Sequence, residues 1–134
     1  GQYTSGPCSV SQKAAEAAYT LPQDCVETMR QAFERRRDLI VSLAKEIPGL
    51  EVNKPEGAFY LFPKCSSFFG KTDGQRTINN STDFAMYLLE VGHVATVGGD
   101  AFGDPDCFRM SYATSDDNIK EAMSRIKNAL SLLK

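Results

Sequence analysis

Several kinds of chemistry are closed off by what this chain does not carry. It has a single histidine, His93, and four cysteines at 8, 25, 65 and 107, no two of them at the C-x-x-C spacing. A zinc site draws three or four ligands from local spacings, so no metal centre is expected. The thiols read as scattered structural residues, and a Cys–His nucleophile pair has nothing beyond composition in its favour. Neither sign of charge is in excess: 15 Lys and Arg stand against 17 Asp and Glu, a formal net charge of −2. That balance gives no general attraction to nucleic acid or to an anionic membrane. No apolar run approaches the ~18 residues that would cross a bilayer. The opening Gly-Gln-Tyr-Thr-Ser-Gly-Pro has neither a charged n-region nor an apolar h-region, so a cytoplasmic location is expected. The chain does not begin with Met, from which a piece of a longer protein is expected.

What is present fits one domain of 134 residues, long enough to bury roughly two-thirds of its unfolded surface. No internal repeat occurs. Ser9–Tyr19 is an alanine-rich helix candidate with little to anchor it to a core. The first strong helix is expected over about Gln23–Glu46. Val26, Met29, Phe33, Ile40, Leu43 and Ile47 recur along one face, Pro22 and Asp24 suit its start, and Pro48-Gly49 stops it. Arg35, Arg36 and Arg37 lie between Glu34 and Asp38 and read as a solvated helix face, with a nucleic-acid stripe as the minor alternative. Leu50–Val52 and Ala58–Phe62 are strand candidates flanking a Lys-Pro-Glu-Gly turn. Gly70–Asn80 reads as a polar surface insertion. A helix over about Thr82–Val91 has Ser81 for a cap and Gly92 for a left-handed end. Short strands at Val94–Val97 and Cys107–Ala113 enclose the loop Gly98–Gly103. The last helix starts at Ser115 with a core face of Ile119, Met123, Ile126, Leu130 and Leu133. The order α-β-β-α-β-β-α predicts an α/β, two-layer sandwich: a small mixed or antiparallel sheet with helices mainly on one face.

Side chains alternate along Phe108-Arg109-Met110-Ser111-Tyr112-Ala113. Phe108, Met110 and Tyr112 share one face, and Arg109, Ser111 and Ala113 the other. A charged group in a strand otherwise suited to burial costs several kcal/mol unless paired. Arginine is shaped to grip a carboxylate through two parallel hydrogen bonds. Arg109 is therefore the candidate anion-binding residue; an exposed edge-strand arginine, or an internal pair with an acid such as Asp100, are the plain alternatives. The Gly98–Gly103 loop lacks the G-x-G-x-x-G spacing of dinucleotide sites, and its glycines would let a ligand approach the backbone.

These pieces in this order resemble the C-terminal part of the class I, aspartate-aminotransferase-type, pyridoxal-phosphate-dependent aminotransferases. Four segments carry the resemblance: Gln2–Ser5 with SVSQKAA at Ser9–Ala15, GAFYLF at Gly57–Phe62, VGGDAFG at Val97–Gly103, and RMSYA at Arg109–Ala113. The resemblance covers essentially the whole chain, and the last motif with its preceding loop is the most specific. It implies that residues 1–20 belong with a large domain outside this chain and that 21–134 form the C-terminal small domain. Arg109 would bind the α-carboxylate of an amino-acid or 2-oxo-acid substrate, and Phe102 and Gly99 would border the active-site mouth. Thr4 and Ser5 would sit near the dimer interface, close to the partner subunit's cofactor site. It further implies a homodimer and pyridoxal phosphate in the full-length protein, with aspartate among the possible substrates. No Schiff-base lysine is matched here. Lys71 comes closest, but Thr72-Asp73-Gly74-Gln75-Arg76 does not continue the motif. This chain alone is thus expected to bind no cofactor and to be inactive. A second departure is Gly98 where the family usually has proline, which implies a looser loop. A pyridoxal-phosphate lyase or synthase of the same fold would need the same arginine, and a non-catalytic carboxylate-binding module is the alternative from another class.

Overall fold

Residues 5–134 are described by a computed structural model. The elements are α1 (Ser9–Thr20), α2 (Asp24–Lys45), β1 (Tyr60–Leu61), α3 (Ser81–Glu90), β2 (Val97–Gly98), β3 (Phe108–Ser111) and α4 (Asp116–Leu130), with 3-10 turns at Ser66–Phe68 and Gly99–Phe102. The chain divides into two compact units, Gly1–Gln31 and Ala32–Lys134.

In the first unit α1 buries none of its side chains, as its composition led one to expect. Gln23 closes the link to α2 by donating to the carbonyls of Ala18 and Leu21. The Glu27 carboxyl is drawn down to about 2 by hydrogen bonds from Arg30 and then Gln31. Val26 and Met29, expected on the core face of α2, are exposed; the burial of that helix begins further along, at Ile40, Val41 and Ala44.

In the second unit three strands form an antiparallel sheet in the order β1-β3-β2. Tyr60 pairs with Ser111 and Leu61 with Met110 on one side of β3, and Val97 with Arg109 and Gly98 with Phe108 on the other. The β1–β3 ladder continues past the named strands: Tyr112 N–H donates to Phe59 O, and Phe108 N–H to Pro63 O. Phe108, Met110, Tyr112 and Leu61 share a core with Ile40 and Ala44 of α2, Phe84 and Leu88 of α3, and Ile119, Met123 and Ile126 of α4. The helices therefore cover one face of the sheet, as an α/β two-layer arrangement requires. Burying each such large apolar side chain contributes about 1.5–3 kcal/mol. The rings of Phe68, Phe84 and Phe108 follow one another at centroid distances of 5.5 and 4.8 Å, marking the centre of that layer.

Several local expectations shift. Leu50–Val52 contributes only one bridge, Glu51 to Lys64, and Val94–Val97 is reduced to β2 at its end. The cap of α3 is Asn80, not Ser81: extended at φ −157°, its side chain accepts the Asp83 N–H at 2.8 Å. Ser115 does cap α4. The left-handed residue after α3 is His93 (φ 54°). Gly92 is required for space instead, since a β-carbon there would lie 2.8 Å from the Leu88 carbonyl oxygen. Gly70–Asn80 is no loose insertion. Thr72 and Thr77 bridge, Thr72 and Lys134 exchange both backbone hydrogen bonds, and Ile78 is buried. Asp73 accepts the N–H groups of Gln75 and Arg76, which hold its carboxyl below the usual range. The arginine run is partly tied inward: Arg35 forks onto Asp116 at the start of α4, and Arg36 reaches the same carboxylate.

Candidate functional site

The sheet face turned away from the helices carries the site. The β1–β3 and β2–β3 registers put Tyr60, Ser111, Val97 and Arg109 on it. Arg109 is half-buried there. Its guanidinium carbon lies 4.3 Å from the ring centroid of Tyr60 and 4.0 Å from that of Phe102, and Phe62 meets Phe102 edge-on at 6.2 Å. Contact of a cation with an aromatic ring face leaves N–H donors available for an anion.

Every other arginine among the described residues has a carboxylate partner: Arg30 has Glu27, Arg35 and Arg36 have Asp116, Arg37 has Glu34 and Asp38, Arg76 has Glu90 and Arg125 has Glu121. Arg109 has none among the described residues. Asp100, the internal partner the sequence offered, instead accepts a long hydrogen bond from the Thr82 hydroxyl at 3.5 Å. A half-buried arginine with rings packed against its guanidinium and no carboxylate on its N–H groups is suited to receive an anion.

Phe102 is placed by a tightly closed turn. Gly99 N–H donates both to Cys107 O at 2.8 Å and to the fully buried Ser81 hydroxyl at 3.1 Å. A β-carbon on Gly99 would fall 2.1 Å from Asp104 O and 2.3 Å from Cys107 O. The bareness of Gly99 therefore serves the chain's own closure, and the left-handed Gly103 (φ 86°) ends the turn. Gly98 has φ −59°, a value proline also holds. The segment runs close to α3, and a β-carbon at Gly98 would sit 3.1 Å from the Thr82 nitrogen.

The remaining candidates disperse. Thr4 lies outside the described residues. Ser5 is exposed, with a left-handed backbone at φ 48°, and belongs to the first unit. The Lys71 ammonium lies over the Phe68 ring at 5.3 Å. Phe68 packs on Phe84 and through it on Phe108, so Lys71 belongs to the layer on the opposite side of β3 from Arg109. His93 is exposed at the margin of a cleft of about 600 Å³ lined also by Arg125 and Leu132. Cys65 and Cys107 are buried and free; burial raises their thiols to about 12 and about 11, with Asp104 adding to the rise at Cys107. Among the described residues no group of three or more His, Cys, Asp or Glu could hold a metal, and no helix is long and apolar enough to cross a membrane. Reading the sequence missed Tyr60, Phe62 and Ser81. The period-two pattern of Ala58–Phe62 set Tyr60 and Phe62 on a common face, but only the register against β3 makes that the face of Arg109.

Known proteins resemble this chain in sequence and in fold. The chain is 50% identical over 129 residues to a protein named probable aspartate/prephenate aminotransferase in Rickettsia felis, which covers 96% of this chain and 32% of that relative. It is 47% identical to one named bifunctional aspartate aminotransferase and glutamate/aspartate-prephenate aminotransferase in Petunia hybrida, covering 99% of this chain and 29% of the relative. The crystal structure of an aspartate aminotransferase from Rhizobium meliloti superposes with a TM-score of 0.92 at 47% identity, over 99% of this chain and 34% of that one. An alanine aminotransferase from Pyrococcus furiosus superposes at 0.84 with 30% identity, over 97% of this chain and 32% of that one. The chain spans about a third of the length of the curated relatives it matches. The family model described as aminotransferase class I and II matches residues 1–126, and the chain belongs to that family.

Proposed function

We propose that this chain is the C-terminal part of an aminotransferase that moves an amino group between an amino acid and a 2-oxo acid, and that Arg109 holds the substrate α-carboxylate. The observation that carries this reading is the guanidinium left without a carboxylate among the described residues, while every other arginine there has one. Two parallel N–H···O bonds to a carboxylate would fill its donor edge and orient the substrate's α-carbon. Aspartate is the amino acid favoured by the names that the relatives bear.

Neither Lys64 nor Lys71, the two lysines on either side of the Ser66–Phe68 turn, suits the Schiff base of pyridoxal phosphate, the cofactor the family implies. A Schiff-base lysine must present a free amine, favoured by desolvation or a neighbouring cation. Lys71 lies over Phe68 in the helix-side layer, and the Lys64 ammonium is paired with Asp106 at 3.5 Å. The cofactor and its lysine are accordingly assigned to the remainder of a longer protein, with residues 1–20 belonging to that larger domain and 21–134 forming the small one. A homodimer, with Thr4 and Ser5 near the partner subunit's cofactor site, and a cytoplasmic location complete the proposal.

The test is Arg109→Ala in the full-length protein. The specificity constant for the amino-acid substrate should fall by at least ~2 kcal/mol, about 30-fold, because breaking a desolvated charge pair costs about 2–5 kcal/mol. An unchanged specificity constant would overturn the assignment.

A further inference from the structure

Arg109 stands on the open sheet face, and its guanidinium carbon lies 4.3 Å from the centroid of one ring and 4.0 Å from that of another. An unrestrained arginine has to lose side-chain freedom when it grips a carboxylate. Two rings packed this closely remove part of that freedom beforehand, and an aromatic face takes up no N–H donor as a carboxylate partner would. The two rings come from separate places. Tyr60 is on β1, fixed by its pairing with Ser111. Phe102 ends the Gly99–Phe102 turn, which is anchored by Ser81 and Cys107 and supported edge-on by Phe62. Phe102 is also 44% exposed. A ring needed only for the core would be buried, as Phe84 and Phe108 are.

We infer that Tyr60 and Phe102 are positioning residues: they clamp the Arg109 guanidinium and so set the angle at which it receives the substrate carboxylate. This rests on the reading of Arg109 as the carboxylate ligand and adds to it the means by which the arginine is aimed. Because the carboxylate is bound alike before and during reaction, the loss of a ring should appear in KM more than in kcat. It should also appear for amino acid and oxo acid together, since both present the same carboxylate.

The experiment compares Phe102→Leu, Phe102→Tyr, Tyr60→Leu and Arg109→Lys in the full-length enzyme, with Arg109→Ala as the reference. Phe102→Leu should raise both KM values about tenfold, equivalent to about 1.4 kcal/mol, and Phe102→Tyr should rescue them by restoring the ring. Tyr60→Leu should act in the same direction, which keeps the test intact if either leucine variant folds poorly. Introduced into Arg109→Lys, Phe102→Leu should add little, because its effect passes through the guanidinium. Wild-type KM values in both leucine variants, beside a large loss in Arg109→Ala, would overturn the clamp and leave the carboxylate assignment standing. So would equal losses in Phe102→Leu and Phe102→Tyr, or a full Phe102→Leu effect in the Arg109→Lys background. No loss in Arg109→Ala would remove the assignment and the clamp together.

Discussion

Gly99→Ala is the sharpest structural perturbation this fold offers. The added β-carbon would lie 2.1 Å from Asp104 O and 2.3 Å from Cys107 O, and neither obstacle is a side chain that can swing away. Cys107 O is fixed by the Gly99 N–H, and Asp104 O by the Cys107 N–H. Relief requires moving both carbonyls by the better part of an ångström, which gives up two backbone hydrogen bonds worth about 0.5–1.5 kcal/mol each and adds an overpacking strain of about 1–3 kcal/mol. The expected loss is about 2–5 kcal/mol, a large share of a typical domain's total stability. The assay is a urea titration of the full-length protein, followed by hydrogen-exchange mass spectrometry on peptides from α3 and β3, so that unfolding here is read apart from the rest. Two glycines serve as controls. At Gly57 a β-carbon meets nothing within 4 Å and the backbone is not left-handed, so Gly57→Ala should be neutral or slightly stabilising. At Gly103 the space is also open but φ is +86°, so Gly103→Ala should cost only the left-handed strain, about 1–2 kcal/mol. Equal midpoints for Gly99→Ala and Gly57→Ala would refute the reasoning.

Tyr112→Phe removes the hydroxyl that donates at 3.0 Å to the carbonyl of Ala58, a residue itself held at φ 57°; it should destabilise by about 1 kcal/mol in the same titration. Stability should also decline at alkaline pH. Cys65 and Cys107 are raised from 9 to about 12 and about 11 when folded. The unfolded chain releases those protons first, so their contribution is complete below about pH 9 and is lost as pH rises through about 11–12. The double variant Cys65→Ala with Cys107→Ala should show a shallower decline over that range than the parent, and an identical slope would contradict this. For the same reason iodoacetamide at pH 8 should leave Cys65 and Cys107 unlabelled until the protein is denatured.

The helices were legible because their signals are local. Ile119, Met123, Ile126, Leu130 and Leu133 repeat at helical spacing, and all five are buried. Arg109 was legible for a related reason: alternation along one strand isolates a charge on the face opposite Phe108 and Met110. What surrounds it was not, because cross-strand register depends on partners distant in sequence. Tyr60 reaches Arg109 only through the β1–β3 pairing, and Phe102 only through a turn whose Gly99 is held by Ser81, 18 residues before it. The Asn80 cap was missed because Ser81 is an equally good cap by residue type; its hydroxyl is used instead to hold Gly99. The polar Gly70–Asn80 stretch looked like an insertion because its anchor, the backbone exchange between Thr72 and Lys134, leaves no mark in composition.

The measurement that bears most directly on the central claim is substrate discrimination at the α-carboxylate itself. The full-length protein and its Arg109→Ala variant would each be assayed with aspartate and with the analogue whose α-carboxylate is replaced by a carboxamide, which cannot accept the charge-assisted fork. If Arg109 grips that carboxylate, the variant's preference for aspartate over the amide should shrink by about 30-fold or more relative to the parent, in line with a pair worth at least ~2 kcal/mol. A preference unchanged by the loss of Arg109 would contradict the claim.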